Sequence, residues 1–142
     1  MTAPAPTTPR LLLEPASGGY VPGVCNIGPW EIRRRWIGGV IGLGIAAALL
    51  GVLIAVHAPA FARILVLLPA WGGAFSVLQA RRRFCGAYAM RRISNFGVDL
   101  GTIHEVEDDA AHRADMAALV CMTRDAFVIG LVITVVAVLL PV

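Results

Sequence analysis

Polar and apolar positions fall into long blocks along this chain rather than alternating. Trp36–Val56 and Ile64–Ala80 carry no charged residue, Arg33-Arg34-Arg35 precedes the first run, and Arg81-Arg82-Arg83 closes the second. As an α-helix the first run is long enough for a bilayer core of roughly 30 Å, and the second lies at the short end of the spanning range. His57-Ala58-Pro59-Ala60-Phe61-Ala62-Arg63 separates them, with a proline to stop one helix and room for little but a turn. The pattern predicts a membrane helical hairpin.

A third apolar run, Ala126–Leu140, nearly ends the chain. Its helix is expected to start around Asp108, where the acidic first turn suits a helix N-terminus. At about 25 Å when counted through Val142, this run spans only by thinning the bilayer or by recruiting Met116–Met122, with Arg124 and Asp125 snorkelling or facing protein. The fold class is therefore an all-α membrane protein: a transmembrane hairpin plus a third C-terminal transmembrane helix.

Local signals set the boundaries. Gly28-Pro29 reads as N-cap and first position of the first helix, Glu31 sits in its first turn, and Trp30 and Trp36 are placed as interfacial anchors. Gly38, Gly42 and Ala46 form one small-residue stripe on it, and Gly44, Ala48, Gly51 and Ala55 form a second. Small residues let backbones approach closely in lipid, so two stripes predict two neighbours. Pro69, followed by Trp71-Gly72-Gly73, predicts a kink or loosened turn in the second helix. Phe84–Asn95 mixes aromatics with arginines and is expected to continue that helix along the interface, ending at Phe96-Gly97. The expected units are a disordered or extended Pro-rich tail (1–24), the hairpin with interfacial ends (25–96), an acidic cytoplasmic connector (97–110) and the C-terminal helix (111–142). Leu11-Leu12-Leu13 in the tail is either a chance triplet or a docking element. Arg33–Ala62 contains the parts of a signal peptide, but its apolar segment is too long and too far from Met1, which favours an uncleaved anchor.

Composition agrees with the pattern: 58% of residues are hydrophobic and the mean hydropathy is +0.76. The net charge of +3 is no sign of nucleic-acid binding. Of the 12 basic residues, all arginine, eight are Arg33, Arg34, Arg35, Arg81, Arg82, Arg83, Arg91 and Arg92, at one end of the hairpin. That placement suits anionic lipid headgroups and predicts a cytoplasmic N-terminus with the C-terminus outside.

Cys25, Cys85 and Cys121 make no disulfide framework. Cys25 and Cys85 flank the hairpin on one face, either as a thiol pair for redox or sulfur chemistry or as small packing residues. No ligand spacing supports a metal, and His104 and His112 do not point the same way on a helix. His57 at the turn is either a solvated histidine or an axial contact to haem or chlorophyll; no cofactor is expected. No phosphate-binding glycine loop, catalytic triad or intramembrane carboxylate pair is present.

Asn26-Ile27-Gly28, Arg33–Arg35 with Gly38-Gly39, and Phe84-Cys85-Gly86-Ala87-Tyr88 resemble a known pattern. It is that of the small two-helix inner-membrane domain of unknown function of the YgaP type, found alone in bacteria and also behind rhodanese domains. The resemblance covers about residues 25–96, although Gly86 stands where that family has proline, and it implies no catalytic residue. Two functions are therefore expected to compete. One is a non-catalytic accessory subunit of a larger complex in the bacterial inner membrane, with the lipid bilayer and other subunits or its own copies as partners. The other is a cysteine-dependent redox or sulfur-handling membrane protein.

Overall fold

The computed structural model describes residues 19–97 and 103–141. The expected tail up to residue 18, with Leu11-Leu12-Leu13, lies outside the described residues. Three helical segments are long and apolar enough to cross a membrane: Pro29–Ala55, Ala60–Arg81 and Asp109–Leu139.

Helix α1 spans Pro29–Ala55, with Gly28 as N-cap and Pro29 where its missing N–H costs nothing. It ends in a Schellman motif. His57 adopts φ +52°, its N–H bonds Ile54 O at 3.0 Å, and the Ala58 N–H bonds Leu53 O at 2.9 Å. A 3₁₀ helix, Ala60–Val66, then leads into α2, Leu67–Arg81. Pro69 occupies the first turn of α2, so the kink expected there is instead a change of helix type one turn earlier. The 3₁₀ winding rises about 2.0 Å per residue rather than 1.5 Å, which lengthens a segment that the apolar run left short. Arg83, φ +52°, closes α2 with the same motif, the Phe84 N–H reaching Gln79 O at 3.0 Å.

Beyond α2 the interfacial helix is shorter than expected. Helix α3 covers only Gly86–Met90, because Arg92 turns left-handed at φ +55° and Ile93 enters a strand. Strands β1 (Ile93–Asn95) and β2 (Ile103–Glu105) pair antiparallel, Ser94 opposite His104. This short pair is an addition to a mostly helical chain, and it ties down part of the expected acidic connector, since Val106 is buried and its N–H bonds Arg92 O. Helix α4 then runs from Asp109 to Leu139, its N-terminus capped by the Asp108 carboxylate on the Ala110 N–H.

Helix α2 lies between α1 and α4. A Cβ on Gly42 would come within 2.8 Å of the Gly73 Cα, so these two glycines set how closely α1 and α2 approach. Ser76 on α2 donates to the Arg35 carbonyl of α1 at 2.8 Å. Ala46, Val66 and Ala70 form the buried centre, with Leu50 and Leu53 of α1 and Ile133 of α4 packed against it. On the other side Gly130 of α4 meets the Trp71 backbone, and Trp71 sits edge-on to Phe127 with ring centroids 6.0 Å apart. Asp125 pairs with Arg82 at 2.6 Å, so of the alternatives for Arg124 and Asp125 the carboxylate faces protein, whereas the Arg124 side chain is exposed. The pair aligns the end of α2 with the middle of α4. The apolar half of α4 thus lies beside α2, and Asp109–Arg124 continues about 24 Å beyond the end of α2, alongside α3 and the segment before α1.

Candidate functional site

The polar chemistry of the described residues gathers at the arginine-rich end, where the segment before α1 is strapped across the other elements. Asn26 is fully buried and holds the Cys85 peptide unit from both sides. Its Nδ2 donates to Cys85 O at 3.1 Å and its Oδ1 accepts from the Cys85 N–H at 2.7 Å. The Asn26 N–H bonds Arg83 O, the Gly28 N–H bonds Asn95 O, and the Gln79 side chain accepts from the Gly86 N–H at 3.2 Å. Apart from the Gly28–Asn95 bond, which ties the start of α1 to β1, these bonds engage backbone where α2 stops and α3 starts.

Residues 19–24, expected to belong to the tail, are folded instead. The Val21 N–H bonds Cys25 O, closing a turn in which Gly23 takes φ +71° and lies against the Ala114 backbone. Asp115 of α4, 1% exposed, accepts from the Gly23 N–H at 2.6 Å and from the Tyr20 hydroxyl at 3.0 Å. Burial, and then the bond to Asp115 and its negative charge, push the Tyr20 phenol above its ordinary range. Tail-like composition hid this strap, because its order comes from partners some 90 residues away in sequence.

Cys85 is fully buried, and its Sγ accepts from Arg35 Nη2 at 3.0 Å. Arg35 also pairs with Glu31 at 3.4 Å, and Arg34 pairs with the same carboxylate at 2.8 Å. Cys25 is half-buried, with its Sγ directed to Ile27 O at 3.9 Å. The two thiols therefore share one end of the molecule but engage different groups. Cys121 is exposed on α4.

The remaining expected residues divide by position. Gly38, Gly42 and Ala46 lie on the face of α1 that meets α2 and the 3₁₀ segment, whereas Gly44 and Gly51 have nothing within 4 Å of a side chain's first carbon, and Ala48 and Ala55 are exposed. Arg82 pairs with Asp125 and Arg92 with Asp109 at 2.7 Å; Arg33, Arg81, Arg83 and Arg91 have no ion-pair partner among the described residues. No family model, curated protein or solved structure matches this chain.

His57 is exposed at the turn, remote from the cysteines, and His104 lies exposed in β2. Among the described residues no group of three His, Cys, Asp or Glu side chains is placed to hold a metal. Asp115 and Tyr20 are structural polar residues that sequence reasoning passed over, and Asn26 entered it only within the Asn26-Ile27-Gly28 motif. The available signal was weak: an asparagine just before a Gly-Pro helix start, and a lone acid among alanines.

Proposed function

We propose that the chain is a small non-catalytic subunit of the bacterial inner membrane that packs α1 against a helix of a larger membrane complex. The observation that carries this reading is the division of α1 into two small-residue faces. One is filled by α2 through Gly42 and Gly73, and the other, Gly44–Ala48–Gly51–Ala55, is open. Helices in lipid associate through such close approaches, and an open stripe offers one to a neighbour. The eight arginines at one end against Arg63 near the other favour a cytoplasmic N-terminus and an external C-terminus. The resemblance of residues 25–96 to the two-helix inner-membrane domain favours the bacterial setting.

The cysteine-dependent reading draws on the Arg35–Cys85 contact. Burial of Cys85 and the separate engagement of Cys25 weigh against it, since a redox pair must meet both its partner and its substrate. Affinity purification of the full chain in gentle detergent, with mass spectrometry, separates the two. Larger membrane subunits are expected to co-purify in fixed ratio, and Gly51→Leu to release them. Recovery of the protein alone, with loss of function in a Cys25→Ser, Cys85→Ser variant, would overturn the subunit reading. Impermeant thiol labelling of a cysteine placed in the 57–63 turn of intact cells checks the orientation.

A further inference from the structure

Beside the Asn26–Cys85 knot, a groove of about 690 Å³ opens between the strap, the first turns of α1 and the end of α2. Its wall is apolar, built from Ile32 and Trp36 of α1, Ala80 of α2, and Phe96. Arg81 and Arg83 stand on its rim, both exposed. Neither has a hydrogen-bonded or ionic partner for its side chain among the described residues, while Arg34, Arg35, Arg82 and Arg92 are each paired with a carboxylate. On α1 the apolar wall runs on, one turn past Trp36, into exposed Val40, on a helix able to cross a membrane.

We infer that this groove binds one anionic phospholipid, its phosphate held between Arg81 and Arg83 and the start of its acyl chains lying along Ile32 and Trp36. The chemistry of the lining selects this occupant. Two unneutralised guanidiniums call for a phosphate without a compensating cation of its own, which disfavours a choline headgroup. The apolar wall continuing down α1 calls for hydrocarbon attached to that phosphate. Trp36 stands at the junction, where an indole is suited to the boundary between headgroup and chain. Free phosphate would satisfy the rim and leave the wall uncovered.

Cys25 lines the same groove and supplies the reporter. In a Cys121→Ser background, with Cys85 buried, N-ethylmaleimide labelling of the full chain in detergent reads access to the groove. Dioctanoyl phosphatidylglycerol is expected to protect Cys25 at concentrations about 30-fold lower than dioctanoyl phosphatidylcholine, the ratio for two arginines each favouring anionic lipid by roughly fivefold. Arg81→Gln with Arg83→Gln is expected to abolish that preference, and Arg113→Gln, exposed on α4 and outside the groove, to keep it. Equal protection by the two lipids in the wild-type chain would overturn the inference whatever the variants do. Protection by inorganic phosphate matching that by phosphatidylglycerol would overturn the lipid assignment in favour of a soluble anion.

Discussion

Arg63 is the sharpest place to perturb the fold. It is 3% exposed, and its Nη1 donates to Ala137 O at 3.2 Å and to Leu140 O at 2.9 Å. The last carbonyls of a helix have no intrahelical donor, and here a guanidinium from the 3₁₀ segment supplies one at the negative end of the α4 dipole. Arg63→Met keeps the apolar stem and removes the charge. Hydrogen bonds to a charged group are worth about 1.5–3 kcal/mol each, so the two bonds give a gross loss of about 3–6 kcal/mol. Rehydration of the released carbonyls at the turn end returns part of this, leaving an expected net destabilisation of about 2–4 kcal/mol. Reversible unfolding in dodecyl maltoside micelles by added dodecyl sulfate, followed by far-UV circular dichroism, measures it. Arg91→Met, at an exposed site, serves as the control and is expected to cost less than about 0.5 kcal/mol. Arg63→Lys retains the charge without the planar fork and is expected to fall between the two. An Arg63→Met loss no larger than that of the control would refute the idea that this arginine holds α4 in place.

Two further outcomes are expected. His57 takes the left-handed conformation that glycine adopts without penalty, so His57→Gly should stabilise the hairpin by about 0.5–1 kcal/mol in the same unfolding assay; a loss would show that the imidazole makes a contact of its own. The Tyr20 phenol is pushed upward, so its bond to Asp115 contributes fully below the unfolded value of about 10 and is lost only as pH rises through the higher folded value. The wild-type minus Tyr20→Phe difference in tyrosinate absorbance should therefore appear above pH ~10, and a transition at or below it would contradict the buried Tyr20–Asp115 bond.

What the sequence made legible follows from what kind of signal each element leaves. The two uncharged runs and their arginine borders mark α1 and α2 because a membrane imposes a length and an outlook on each residue locally. Gly28-Pro29 marks the start of α1 for a similar reason, since capping is a local affair of a few residues. The β1–β2 pair left no such mark. Ile93-Ser94-Asn95 and Ile103-His104-Glu105 are too short for a period, and their pairing depends on a return of the chain. The helix ends at Arg83 and Arg92 were hidden because arginine, not glycine, holds the left-handed position at each. Asn26 was visible only as part of a short motif, and its bonding stayed hidden because its partner, Cys85, lies 59 residues on.

The polar contacts to α4 also answer a question that its apolar packing leaves open. Along its membrane half the residues buried against the rest of the chain are small, Ala126, Gly130, Thr134 and Ala137, spaced at three or four positions. A slip of α4 by one turn, about 5.4 Å, would change lipid-exposed surface little. Packing resists it at one point, where Gly130 meets the Trp71 backbone and the Cβ of Ala126 or Thr134 would not fit. Three ties do not tolerate the slip: Tyr20 and Gly23 on Asp115, Arg82 on Asp125, and Arg63 on the carbonyls of Ala137 and Leu140. Each lies outside or at the rim of the purely apolar stretch, and each fixes α4 to a different part of the chain. Shifting the helix by a turn breaks all of them together and leaves Asp115 buried without donors, a cost of several kcal/mol. Small-residue packing in this molecule sets how close the helices come, and the Gly130–Trp71 contact together with charged and hydrogen-bonded groups at the two ends of the layer sets which turn meets which.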